Sequence, residues 1–161
     1  MIMDSGSRTE YETGAVRDIQ EGKGRCDLMP LEVVAKLINS VEIFGIESFK
    51  KTGDVRNLYE CLKRFQQNYE YGSMEEMLLD VAKHFEEGAK KYGENNWQKG
   101  IPVHSYMDSA IRHYLKHRAG ITDEPHDRAF VWNILCAIWT FENKPELDDF
   151  TMRKEEENAG N

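Results

Sequence analysis

The chain has 161 residues, enough for one domain with a real core. Its 21 Lys and Arg against 29 Asp and Glu leave a net charge of −8. That balance excludes generic electrostatic binding of nucleic acid, which needs an excess of cations to displace counterions, but it leaves room for a small phosphorylated substrate held by a few placed cations. A 40% hydrophobic content with 11% aromatics excludes a disordered chain.

Cys26, Cys61 and Cys136 are odd in number and far apart, with no C-x-x-C, so neither a disulfide framework nor a zinc knuckle is indicated. Met1 to Arg25 is polar and lacks an apolar core, which argues against a secretory signal. The longest apolar stretch, Ala129 to Phe141, is shorter than the ~20 residues that span a bilayer. The expectation is a cytoplasmic protein with no membrane partner.

Residues 1–28 hold Gly6, Gly14, Gly22 and Gly24 and no helical period, and read as a loop-like arm. A first helix is predicted from Pro30 to about Phe44, with Leu31, Val34, Leu37, Ile38 and Val41 on one side and Gly45 as its stop. Asp54 is placed to cap a second helix carrying Leu58, Leu62, Phe65 and Tyr69. Ser73 and Glu76 form a capping box for a third, which runs to Tyr92 and ends at Gly93. A connector spans Glu94 to Pro102. A fourth helix is predicted from Ser105 to Ala119, and a fifth from Pro125 to about Glu142. Residues 144–161 are acidic and read as a frayed tail. No run alternates with period two for long enough to make a sheet, so the class is all-α: a bundle of about five helices.

The fifth helix is apolar around most of its circumference. One stripe differs: His126, Ala129, Asn133, Ala137 and Thr140 fall on one side and are all small or polar. A buried Asn133 needs partners, either from a neighbouring backbone or from the contents of a polar cavity. On the third helix Leu78, Val81, Ala82, Phe85 and Ala89 define the expected apolar face, with Glu86 on its flank and Glu87 and Asp80 towards solvent. On the fourth, Met107, Ile111, Tyr114 and Leu115 are core, Asp108 flanks them on one side, and His113 and His117 lie towards the other, as a solvent-facing pair.

Carboxylates projecting from adjacent helices suit a hard cation such as Mg²⁺ or Mn²⁺ that works on a substrate phosphate. Gly22-Lys23-Gly24-Arg25 has neither the spacing nor the Ser/Thr of a Walker A loop. His126-Asp127 is the dipeptide of HD-type phosphohydrolases.

The string Glu86-x-Gly88-Ala89-x-Lys91-Tyr92-Gly93-x-x-Asn96-Trp97-x-x-Gly100 resembles the signature of the phage and prophage dATP/dGTP diphosphohydrolase family. This is the MazZ-like group, related to the MazG all-α nucleotide pyrophosphohydrolases. Asp108-Ser109-Ala110-x-Arg112-His113, Pro125-His126 and Trp132-Asn133 match as well, as do Gly14-Ala15-x-Arg17-Asp18 and Gly22 to Pro30 in the arm. The resemblance covers about residues 14–36 and 80–142, with 39–73 as a family-variable helical insertion in a catalytic domain of residues 29–143. MazG enzymes carry an E-x-x-E that this chain lacks; its Glu124-x-x-Asp127 stands at a helix start.

The resemblance implies metal-dependent hydrolysis of a purine deoxynucleoside triphosphate to the monophosphate and pyrophosphate, in the host cytoplasm if the chain is phage-encoded. A thin bundle with large aromatics is also expected to bury surface against a copy of itself, as a homo-oligomer. On that reading Glu86 and Asp108 are the expected metal ligands, with Asp123 or Glu124 as a further carboxylate. His113 and His126 ligate or orient water. Arg17, Lys23, Arg25, Lys91 and Arg112 supply phosphate charge, Asn96 and Trp97 meet the base or ribose, and Asn133 contacts the substrate or holds a ligand. The arm, residues 1–28, is expected to cover the nucleotide. The alternatives are an HD-type phosphohydrolase built on His126-Asp127 and a non-enzymatic helical interaction protein.

Overall fold

The structure is a computed structural model that describes residues 5–150, Arg153 and residues 159–160. In these, seven helices follow a two-stranded hairpin. The strands, β1 (Arg8–Glu10) and β2 (Val16–Asp18), pair antiparallel with Thr9 opposite Arg17. Three residues per strand are too few to leave an alternating pattern, so this sheet was invisible in the sequence. Gly14, at φ +85°, closes the turn between them.

The first predicted helix is in fact two, α1 (Leu31–Leu37) and α2 (Val41–Thr52). Asn39, at φ +53°, breaks the run, and Ser40 restarts it by accepting from the Ile43 amide at 3.0 Å. Gly45 does not stop a helix. It lies inside α2, where an added Cβ would stand 3.3 Å from the Asn57 carbonyl and 3.6 Å from Cys61 Cβ. Its bare backbone lets α3 (Arg56–Asn68) pack close. The helix α2 also buries Glu42, whose carboxylate accepts from Tyr114 Oη at 3.1 Å and Asn68 Nδ2 at 2.9 Å, tying α2 to α3 and to Tyr114.

The third predicted helix, α4 (Met74–Tyr92), starts where expected: Ser73 Oγ accepts from the Glu76 amide, while Glu76 reaches back to the Gly72 amide. The connector contains a single turn, α5 (Asn96–Lys99). The last two helices, α6 (Val103–Arg118) and α7 (His126–Asn143), form the broadest helix–helix contact. The α7 helix is central, packing against α3, α4 and α6, with Phe130 4.6 Å from Phe65 between ring centroids. Its predicted stripe of His126, Ala129, Asn133, Ala137 and Thr140 is buried throughout.

The segment after α7 is not frayed as far as it is described. Phe150 is buried edge-on to Phe49, and the Arg153 guanidinium lies 5.0 Å from the Phe49 ring centroid. Asp149 engages both the backbone and the ring of His104. Among the described residues, no helix is long and apolar enough to cross a membrane.

Candidate active site

Two helical stripes face one cavity. From α6 come Ser109, Arg112, His113 and Lys116, at i, i+3, i+4 and i+7; from α4 come His84, Phe85, Gly88, Ala89 and Tyr92, again on one side of the helix. Trp132 and Asn133 of α7 close the floor, and Val16 to Asp18, Gln20 and Lys23 of the arm form the remaining wall. The cavity measures about 390 Å³, within the range of small-molecule sites.

The arm is a fixed part of this wall. Asn96 holds β2 as a second strand would: its Oδ1 accepts from Val16 N at 2.8 Å and its Nδ2 donates to Val16 O at 2.7 Å. Arg17 donates to Asn133 Oδ1 at 3.0 Å and to the Ser105 carbonyl at 3.3 Å, its guanidinium lying 5.3 Å from the Tyr106 ring and 5.8 Å from Trp132. Asn133 completes its amide by donating to Ala129 O at 2.8 Å. Further on, Arg112 donates to the carbonyls of Lys23 and Gly24, and Asp108 Oδ1 accepts from the Cys26 amide at 2.6 Å. Asp108 also accepts from Arg112 at 2.7 Å.

At one side of the cavity, His113 Nδ1 and His126 Nδ1 stand 2.9 Å apart, and Glu124 Oε1 is 3.6 Å from each. Asp123 Oδ1 lies 2.6 Å from His126 Nε2. A proton on that Nε2, held by Asp123, leaves the Nδ1 lone pair aimed at His113 and Glu124. Burial is the main cause holding the His113 imidazole well below the usual histidine range, with His126, His84, Arg17 and Lys116 adding to it, so its ring is neutral at pH 7. His113, Glu124 and His126 therefore make a compact N,N,O donor set, all within 4.8 Å of one another.

The structure gathers nine expected residues around the cavity: Arg17, Lys23, Asn96, Trp97, Arg112, His113, Asp123, Glu124 and Asn133. His126 stands behind His113 and completes the cluster. It does not bring Glu86 and Asp108 together. The buried face of α4 is rotated from the expected one and runs through Met77 and Val81 towards His84 and Gly88, leaving Leu79 exposed. Glu86 consequently points outward, 67% exposed and paired with Lys90, whereas Glu87 is the half-buried one, paired with Arg128. Asp108 is buried, but it is occupied by Arg112 and the arm. Arg25 turns to Asp27, and Lys91 lies over the Tyr92 ring; neither lines the cavity. His113 is not solvent-facing. In the His126-Asp127 pair, Asp127 turns to the Tyr71 hydroxyl, and it is Asp123 that engages His126.

Sequence reasoning missed His84, Lys116, Tyr92 and Trp132 as wall residues. The spacing Ser109, Arg112, His113, Lys116 was available as a signal on α6; on α4 the expected face held Phe85 and Ala89 of the wall but lay rotated away from His84.

The model of the dATP/dGTP diphosphohydrolase N-terminal family matches residues 49–150, most of the chain and all of α3 to α7. The chain belongs to the dATP/dGTP diphosphohydrolase family. It is accordingly a nucleoside triphosphate pyrophosphohydrolase. No curated protein and no solved structure matches it. The diphosphohydrolase match includes most of the segment 39–73 that was expected to be a variable insertion, and begins after the arm. It contains His113, Glu124 and His126, whereas Arg17 and Lys23 come from outside it.

Two outcomes follow from the wall itself. Replacing Asp108 with Ala strands the buried Arg112 charge and frees the arm, so unfolding in urea should show a loss of about 3–5 kcal/mol. A metal ligand of equal importance would lose activity with little change in stability. His84, pushed down to about 4 mainly by burial, is neutral when folded but binds a proton below about pH 6.5 when unfolded. Its contribution to stability is complete above pH 6.5 and is lost as pH falls towards 4, by roughly 3 kcal/mol in all. His84→Gln should flatten that part of the stability–pH curve measured by thermal unfolding.

Proposed function

We propose that this diphosphohydrolase cleaves dATP and dGTP between the α and β phosphates, releasing the monophosphate and pyrophosphate, with a divalent transition-metal ion held by His113, His126 and Glu124. One observation carries the reading: a single cavity borders an imidazole–carboxylate cluster, four cationic side chains and an aromatic wall.

The donor set fits a metal. Atoms bound to one ion at about 2.0–2.2 Å lie roughly 3–3.4 Å apart, close to the separations within the cluster. Two imidazoles and a carboxylate match Mn²⁺ or its later neighbours better than Mg²⁺, which favours oxygen alone. When bound, such an ion supplies Lewis-acid polarisation of a phosphoryl oxygen and a more acidic water. Asp123 orients His126, and Glu124 would complete the donor set from the α6–α7 loop.

Lys116 from α6 and Lys23 from the arm, which pairs with Asp18 at 3.0 Å, bring charge to the triphosphate, and Arg17 and Arg112 do so while holding the arm. Charge-assisted contacts of this kind are roughly twice as strong as neutral ones. The base lies against the α4 wall of Phe85 and Tyr92 with Trp132.

Products decide the matter. With Mn²⁺ and dGTP or dATP, anion-exchange chromatography should resolve dGMP or dAMP and pyrophosphate in equal amounts. Release of triphosphate and the nucleoside would favour HD-type chemistry instead, and orthophosphate would refute cleavage at the α–β bond.

A further inference from the structure

We propose that the bare Cα of Gly88 is the seat of the purine ring, so that this one position sets how the base is held. The proposal rests on the cavity being the nucleotide site.

Gly88 lies inside α4, three and four residues after Phe85 and His84 and four before Tyr92. Glycine in a helix interior is unfavourable relative to alanine, so its presence calls for a reason. Backbone conformation supplies none, because Gly88 is not among the residues with positive φ. Packing supplies none either. A Cβ built at Gly88 meets nothing within 4 Å, in contrast to Gly45, whose Cβ would meet α3. Yet the position is half-buried and forms part of the cavity wall. What an added side chain would enter is the cavity itself.

The surroundings identify the part of the ligand. Trp132 lies 5.3 Å from His84 and 5.9 Å from Phe85 between ring centroids, and Trp97 lies 5.8 Å from Phe85. His84 and Phe85 share the α4 wall with Gly88, Trp132 reaches them from the floor and Trp97 from α5, while Arg112, His113 and Lys116 belong to the α6 wall and Arg17 and Lys23 to the arm. A planar heterocycle matches the aromatic wall and a triphosphate matches the cationic ones. A backbone without Cβ lets that heterocycle approach the helix at van der Waals distance.

The test compares wild type, Gly88→Ala, Gly88→Val and Lys116→Gln, with inorganic tripolyphosphate as a probe of the phosphate walls. One added methyl in a fitted pocket shifts recognition by about tenfold or more. Gly88→Ala should raise KM for dGTP and dATP by about tenfold and Gly88→Val by more, with kcat little changed. The melting temperature of Gly88→Ala should equal or exceed that of wild type. Inhibition by tripolyphosphate should be unaltered in both Gly88 variants and weakened in Lys116→Gln. Unchanged KM in both Gly88 variants, with KM raised in Lys116→Gln, would overturn the seat and leave the site standing. Unchanged KM in all three variants would overturn the site as well. A parallel loss of tripolyphosphate inhibition in the Gly88 variants would show a general collapse of the cavity and refute the proposal.

Discussion

His126→Ala is expected to lower hydrolysis of dGTP by about a thousandfold or more, because the loss of Lewis-acid stabilisation is worth several kcal/mol. The side chain is buried, its Nδ1 stands 2.9 Å from His113 and its Nε2 is held by Asp123. Substituting it removes one donor, the ring that Asp123 of the α6–α7 loop holds in place. Thermal unfolding with Mn²⁺ alone provides an independent readout. Wild type should be stabilised by RT ln(1 + [L]/Kd), and His126→Ala and His113→Ala should show almost no shift. Asp123→Asn should retain activity but weaken metal binding by about 10–100-fold, as is usual when the group orienting a ligand is altered. Glu86→Gln is expected to be silent, since that carboxylate lies in solvent beside Lys90. Full Mn²⁺ stabilisation of His126→Ala, or strong inactivation by Glu86→Gln, would remove the basis for the His113–Glu124–His126 site.

The second large effect is expected at the arm. Deleting residues 1–28 removes Arg17, Gln20 and Lys23 from the cavity wall and uncovers Arg112 and Asp108. Stability and turnover should both fall, so a fold-sparing variant is needed beside it. Arg17→Met keeps the length and apolar contact of the side chain over Tyr106 and Trp132 while removing the guanidinium. A hydrogen bond to a charged group is worth about 1.5–3 kcal/mol, so kcat/KM should fall roughly 10–150-fold. Asn133→Ala should produce a similar loss, because the Arg17 guanidinium is positioned by Asn133 Oδ1. If the two substitutions act through one interaction, the double variant should be no worse than the more damaged single one. Additive losses would separate Asn133 from Arg17.

The comparison of Glu86 with Glu87 shows where the sequence stops being informative. A wheel drawn on Leu78, Val81, Ala82, Phe85 and Ala89 is a good apolar face, yet only Val81, Phe85 and Ala89 turn inward; Met77, His84 and Gly88 join them, and Leu78 and Ala82 are exposed. The α4 helix carries apolar residues on more of its surface than it buries, with Leu78 and Leu79 both exposed, so periodicity admits more than one rotation. The neighbours select among these, and α7 is the neighbour that matters. The α7 helix had no such freedom: it is apolar nearly all round, and its stripe of small and polar residues was readable and is buried as expected.

Local chemistry determined much from the sequence alone. The Ser73–Glu76 cap, the stop at Gly93, the length of α7 and the all-α class all depend on residues within a turn of one another. The family motifs contain seven of the nine expected cavity residues, with Asp123 and Glu124 outside them. Tertiary structure alone decided which of the candidate carboxylates face a common point. Asp108 is spent on Arg112 and the Cys26 amide, Glu86 on solvent, and Glu124 is carried to His113 by the turn between α6 and α7. Those outcomes depend on helix rotation and on the docking of an arm some 80 residues distant in sequence, with Asp108 to Cys26 an 82-residue separation. Periodicity fixes which side chains share a helix face, but only packing against the other helices fixes where that face points.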